Sequence, residues 1–121
     1  MSGRLLVKRR YPRRMYRRPI GILIGGVYSL FPGEEVGEGG LSLIAPAKVG
    51  DSQGVVVTFA LEGELHVMKG EVRYQAVKGP GQVVMGIAFQ NIAFKYKKMI
   101  RRYIGAKTEE ELALELRSKS M

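Results

Sequence analysis

Arginine is the residue type in this chain whose number and spacing point to chemistry. Residues 1–18 hold eight basic residues, seven of them arginine, and no acidic residue. A guanidinium binds phosphate or carboxylate through two parallel hydrogen bonds, matches the O6/N7 edge of guanine and stacks on a purine face. The cluster therefore suits a compact guanine dinucleotide, although composition alone favours a nonspecific polybasic tail.

The rest of the chain is nearly neutral. The 121 residues carry a net charge of +9, but residues 19–121 contain 12 basic and 11 acidic residues, or +1. The hydrophobic share of 45% and the charged share of 26% are typical of one globular domain. We therefore expect a folded domain with a basic arm, and an anionic partner should meet the chain at that arm.

Residues for catalysis or metal binding are scarce. The chain has no cysteine and one histidine, His66, which excludes disulfides, thiolate nucleophiles, Cys-ligated zinc and a multi-His metal site within one chain. We expect His66 to occupy a structural strand position. Glu34, Glu35 and Glu38 have no recognisable nucleophile or metal partner, so we predict no catalytic residue, no metal and no enzyme activity.

One segment imitates a secretory signal. The apolar run 19–31 follows two arginines, but glycines interrupt it, and Glu34, Glu35 and Glu38 precede the apparent cleavage site. The run is also shorter than the roughly 20 residues of a membrane-spanning helix. We predict a cytoplasmic protein without a membrane span, which agrees with the absence of cysteine.

The pattern after residue 18 predicts short antiparallel strands. Apolar alternation and glycine- or proline-rich turns place six strands at 20–24, 27–31, 41–44, 54–61, 65–77 and 83–89. We expect the second strand to end at Pro32-Gly33, a flexible loop from there to Gly40, and a bulge near Lys69-Gly70. The fold class is therefore mainly β, a six-stranded antiparallel barrel.

Helical periodicity begins at Asn91, a predicted N-cap for a C-terminal α-helix to Ile104 with Gly105 at C′. Its apolar stripe, which we interpret as a lid on the barrel or a dimer seam, comprises Ile92, Tyr96, Ile100 and Ile104. A capping box at Thr108 predicts a second short helix. The predicted organisation is an arm over 1–18, a barrel with its helix over 19–104 and a helical tail over 105–121.

The order of several short motifs resembles the PilZ domain family over residues 9–104. Those segments are Arg9–Arg13, Glu38–Leu43, Gly86–Phe89 and Arg101–Ile104. The resemblance implies a six-stranded barrel with a C-terminal helix and, as in many PilZ domains, a receptor for cyclic di-GMP. In that family an RxxxR motif and a [D/N]xSxxG motif bind the nucleotide.

The resemblance also implies site residues. Four RxxxR frames fit, namely Arg9/Arg13, Arg10/Arg14, Arg13/Arg17 and Arg14/Arg18, and we prefer the first. In the second motif, Glu35 stands where the family has Asp or Asn, and Gly37 where it has Ser, while Gly40 matches. The predicted cyclic di-GMP-binding residues are therefore Arg9, Arg10, Arg13, Arg14, Glu35, Gly37 and Gly40.

Three functions are compatible with the sequence. The first is a receptor whose surface changes on nucleotide binding and so regulates an unidentified protein partner. The second is a degenerate adaptor that binds no nucleotide and pairs with a partner or a second copy through Ile92, Tyr96 and Ile100. The third is nonspecific polyanion binding by the arm, without a specific nucleic-acid site.

Overall fold

The computed structural model describes residues 12–50 and 53–106, together with residues 111, 113, 114, 116 and 117. The strands are β1 (Arg13–Met15), β2 (Pro19–Ile24), β3 (Val27–Gly37), β4 (Gly40–Ala45), β5 (Gly54–Leu61), β6 (Glu64–Gly79) and β7 (Gln82–Phe89), and the helix α1 covers Phe94–Gly105. Arg9, Arg10 and Thr108 of the predicted features lie outside the described residues.

The strands form one antiparallel sheet in the order β1-β3-β2-β5-β6-β7-β4. An additional pairing between β3 and β4 closes β2 to β7 into a six-stranded barrel, and β1 adds a short strand against β3. The prediction of a mainly β barrel with a C-terminal helix is confirmed. β1 falls within the basic arm, where the sequence carries no apolar alternation to reveal it.

The end of β3 differs from the prediction. The strand continues through Pro32-Gly33 to Gly37, so most of the expected flexible loop is paired sheet. Pro32 pairs with Pro19, the first residue of β2, after which β3 takes β1 as its partner. A side chain at Gly33 would lie 2.6 Å from the Tyr16 carbonyl oxygen. The Pro-Gly pair therefore leaves room for the segment that connects β1 to β2, and it does not end β3.

The bulge in β6 lies three residues beyond the predicted position. Pairing with β5 is regular from Glu64 through Glu71, whereas the register against β7 shifts between Val72 and Tyr74. Even-numbered residues are buried from His66 to Val72, and Tyr74 is exposed. The apolar Leu65 and Val67 point away from the core, which is why apolar residues alone misplaced the change of parity.

Helix α1 covers one part of the barrel core. Met99 and Ile100 are buried, and Tyr96 and Ile104 pack against the same core cluster. The predicted stripe therefore forms a lid, and Ile100 is not available for a dimer seam. His66 is a buried strand residue whose ring lies 5.8 Å from that of Tyr96, as expected for a structural role.

The helix ends also differ from the prediction. Ala93 occupies the N-cap, because Asn91 adopts a left-handed backbone conformation (φ 52°) in the connection from β7. Gly105 is the last helical residue and Ala106 the C-cap. Beyond them, the described residues between 111 and 117 are helical, in agreement with a second helix.

Candidate functional site

A solvent-open cleft of about 240 Å³ lies on the half of the barrel formed by β3, β4, β7 and β6. It is lined by Arg13, Gly37, Gly39, Gly40, Leu41, Arg73, Tyr74, Gly86, Ile87 and Ala88. The floor is therefore rich in glycine, and β1 and β6 each contribute one arginine, Arg13 and Arg73. Such a surface allows a ligand to approach the backbone closely between two cationic groups.

Arg13 is placed at the cleft by the pairing of β1 with β3. Its Cα partner is Gly37, and one guanidinium nitrogen lies 3.5 Å from a carboxylate oxygen of Glu35. A side chain at Gly37 would lie 2.9 Å from the Pro12 carbonyl oxygen and 3.1 Å from Cγ of Arg13. The glycine that replaces the family's serine is therefore what lets β1 lie this close to β3.

The opposite wall depends on the β6 bulge. Because the register shifts there, Tyr74 pairs with Gly86 and its ring lies where a Gly86 side chain would be. Arg73 forms an ion pair with Glu71 at 3.1 Å and lines the same cleft. Sequence reasoning missed Arg73 and Tyr74 as site residues, and the only available signal was the change of apolar parity along β6.

A second cleft of about 440 Å³ adjoins the first, and Tyr74 lines both. Its lining also includes Arg17 and Lys78 as cations and Glu34 and Glu35 as acids. Glu34 accepts a hydrogen bond of 2.8 Å from the buried Ser42 hydroxyl. The two clefts together provide an elongated surface with cations at several points along it.

Arg14 points to a different part of the molecule. Its guanidinium donates two hydrogen bonds to the Glu111 carboxylate, at 2.9 and 3.1 Å, and a third to the Tyr103 carbonyl oxygen. It also lies 4.4 Å from the centre of the Tyr103 ring. The bonds to Glu111 raise the pKa of Arg14 above its usual value. The structure therefore does not bring Arg14 to the cleft.

Four predicted site residues do meet there. Arg13, Gly37 and Gly40 line the first cleft, and Glu35 contacts Arg13 from the second. A side chain at Gly40 would collide with the Ile87 carbonyl, so this glycine also serves the close pairing of β4 with β7. Arg9 and Arg10 lie outside the described residues.

Comparison with known families decides the identity of this architecture. The family model for the PilZ domain matches residues 7–106. The chain belongs to the PilZ domain family. PilZ-domain proteins are nucleotide-binding receptors and adaptors rather than enzymes. No curated protein matches the chain significantly in sequence.

Solved structures share the PilZ fold at low sequence identity. The Bacillus subtilis inhibitor of motility MotI/DgrA aligns with a TM-score of 0.68 at 15% identity, covering 81% of this chain and 50% of its own. Escherichia coli YcgR in complex with c-di-GMP gives 0.66 at 16%, covering 93% and 49%. Borreliella burgdorferi PlzA with c-di-GMP gives 0.62 at 17%, covering 84% and 46%. The chain thus spans about half the length of these proteins.

The basic face of α1 is largely engaged within the PilZ domain. Arg101 forms a 2.8 Å ion pair with Glu38, and Arg102 a 2.8 Å ion pair with Glu62. The bond from Arg102 lowers the pKa of Glu62. Lys98 lies 5.7 Å from the centre of the Phe94 ring. These contacts favour a solvated structural face over a surface reserved for nucleic acid.

Within the described ranges, no group of three or more His, Asp or Glu side chains is placed to hold a metal ion. Among the same residues, no helix has both the length and the apolar character needed to cross a bilayer.

Proposed function

We propose that this PilZ domain is a receptor for cyclic di-GMP that changes its surface on binding and so regulates a protein partner. The observation that carries the proposal is the placement of Arg13 and Arg73 at two sides of a glycine-floored cleft, with Tyr74 next to Arg73. The ligand offers two phosphates and two purine faces. Guanidinium groups, an aromatic ring and exposed backbone are the groups that recognise these features.

Each cleft residue has a distinct role in this proposal. Arg13 binds a phosphate or the O6/N7 edge of guanine as a two-donor fork. Tyr74 offers a face for base stacking. Glu35 accepts from a guanine N–H when Arg13 turns from its 3.5 Å contact to the ligand. Arg9 and Arg10 remain predictions from the motif, and their proposed role is to close over the nucleotide.

The E. coli YcgR and B. burgdorferi PlzA structures, which share this fold, contain c-di-GMP. That likeness, together with a cleft at the predicted motif residues, supports the same ligand here. The frames Arg9/Arg13 and Arg13/Arg17 agree with the cleft. Frames that require Arg14 would have to break its contacts with Glu111 and Tyr103.

A route for the surface change follows from β1. Arg13 and Arg14 extend from opposite sides of this three-residue strand. Arg13 contacts Glu35 at the cleft, and Arg14 binds Glu111 in the C-terminal segment. A ligand that moves Arg13 therefore moves the strand that holds Glu111 and the end of α1. In this proposal the partner reads that rearrangement, and both proteins reside in the cytoplasm.

Calorimetry with the purified chain and cyclic di-GMP tests the receptor proposal. We expect saturable binding at micromolar nucleotide or below. Arg13→Lys keeps the charge and discards the planar fork, so its affinity should fall about tenfold at constant ionic strength. Arg18→Lys, on an exposed arginine outside both cleft linings, is the matched control. No heat at high micromolar nucleotide, or equal losses in both variants, would overturn the proposal.

Two observations favour the adaptor as a second candidate. Gly37 supplies no hydroxyl, and Glu35 already contacts Arg13. An adaptor without nucleotide would bind its partner equally with and without cyclic di-GMP.

A third function, polyanion binding by the arm, would tolerate Arg13→Lys and weaken steeply with salt. A partner pull-down and a salt series separate these two from the receptor.

A further inference from the structure

A large apolar face covers the half of the barrel away from the cleft. It comprises the outward side chains of β2 and β5 and of the first halves of β3 and β6. Five of them are substantially exposed: Leu23 (39%), Tyr28 (55%), Leu30 (64%), Leu65 (70%) and Val67 (62%). These residues define the apolar face.

The strand register makes this face continuous. One row of paired residues crosses the four strands β3, β2, β5 and β6. Its members, in that order, are Leu30, Gly21, Thr58 and Val67. The ring of Tyr28 lies over Gly21, and its hydroxyl is 3.0 Å from that of Thr58. The glycine therefore leaves no gap, and neighbouring side chains along the row are at contact distance.

The size of the face is unusual for a surface exposed to water. The five side chains present on the order of 500 Å², near the upper end of the largest patch found on a typical monomer. On the outward side of β6, Leu65 and Val67 are followed by one ionised side chain, Lys69, at the end of the face. Burial of this area against a matching surface would stabilise an assembly.

We propose that the apolar face is a homodimer interface, with a second copy of this chain as its occupant. Two such faces bury about 1,000 Å² before any rim contact, close to the lower limit of a specific interface. A two-fold axis in the interface, perpendicular to β6 and level with His66, brings Val67 of one copy toward Leu65 of the other, so that the two apolar faces meet.

The proposed dimer leaves the clefts open, because their lining comes from β1, β4, β7 and the second halves of β3 and β6. The inference therefore does not rest on nucleotide binding. It also differs from a seam through α1, whose apolar stripe is already packed on the barrel.

Sedimentation equilibrium of the full chain without nucleotide tests the proposal. We expect the parent to be dimeric at micromolar concentration, and Val67→Glu to raise the dissociation constant at least tenfold. Val77→Glu is the matched control, since Val77 lies on the same strand with the same 62% exposure but outside the apolar face. Leu30→Lys provides a second variant on another strand.

Thermal unfolding monitored by circular dichroism establishes that each variant remains folded, which their exposure leads us to expect. A parent that stays monomeric at high micromolar concentration would overturn the proposal and assign the face to a different partner. Equal dissociation by Val67→Glu and Val77→Glu, or dimers of parent strength in both Val67→Glu and Leu30→Lys, would overturn it as well.

Discussion

Arg13 and Arg14 are consecutive residues of β1 whose guanidinium groups lie on opposite sides of the strand. Arg13 lines the glycine-floored cleft beside Glu35, whereas Arg14 is bonded to Glu111 and to the Tyr103 carbonyl near the end of α1. This follows from the alternation of side chains along a strand. Arg13 therefore serves the proposed ligand site, whereas Arg14 attaches the end of α1 to β1.

Arg14→Ala should separate these two roles. Loss of the two-donor bond to Glu111 and of the bond to Tyr103 should lower the free energy of unfolding by about 1–2 kcal/mol, measured by urea denaturation. Affinity for cyclic di-GMP should fall less than in Arg13→Ala. Arg18→Ala is the control for lost charge. A variant with parental stability and abolished binding would place Arg14 in the ligand site instead.

Tyr74→Ala tests the wall that the β6 bulge builds. If Tyr74 stacks on a guanine, its loss should weaken binding by about 1–3 kcal/mol in calorimetry, while Tyr74→Phe should bind almost as the parent does. Tyr74 is 45% exposed, so both variants should remain folded. Parental affinity in Tyr74→Ala would remove this residue from the proposed site.

Gly37→Ser restores the residue type of the family motif, yet we expect it to impair this chain. The new Cβ would crowd the Pro12 carbonyl oxygen at 2.9 Å, which β1 can relieve only by moving away from β3. Overpacking of this kind costs about 1–3 kcal/mol in thermal or urea unfolding. Affinity should fall as Arg13 moves.

Gly54→Ser is the control for this change, because a Cβ there meets nothing within 4 Å. Tighter cyclic di-GMP binding by Gly37→Ser without loss of stability would show that the hydroxyl outweighs the crowding.

Two neighbouring ion pairs on α1 should differ in energetic weight. Arg101→Ala leaves Glu38, whose side chain is 10% exposed, without its 2.8 Å partner, and should destabilise the fold by about 1–3 kcal/mol. Arg102→Ala removes an exposed pair with Glu62 and should change the urea midpoint little. A larger effect from Arg102→Ala would contradict this ranking.

Local pattern was sufficient to predict most of the barrel. Strands such as β5 and β7 follow from runs of apolar and β-branched residues between turns, and they appear at or within one residue of the expected bounds. The sequence pattern did not predict β1, because this strand is held by pairing with β3 rather than by apolar burial. The predicted end of β3 at Pro32-Gly33 was wrong. A Pro-Gly pair ends many strands, but in this chain it leaves room for the segment that crosses between β1 and β2.

The site could be predicted only in part. An arginine motif locates a segment, but four overlapping frames do not reveal which side chains face a cleft, and the backbone of β1 decides that for Arg13 and Arg14. Arg73 and Tyr74 carry no motif. Their position depends on the register between β6 and β7, which is a tertiary property.

The bulge at Arg73 makes strand register a determinant of which side chains this domain presents. From His66 to Val72 the even-numbered residues of β6 face the core, whereas Tyr74 and Ala76 line the clefts. Straight pairing of the same residues would place Arg73 opposite Gly86 and turn the Tyr74 ring inward, while every ligand-facing side chain stayed in the sequence. The register between β6 and β7 can therefore change the chemistry of the surface without any substitution.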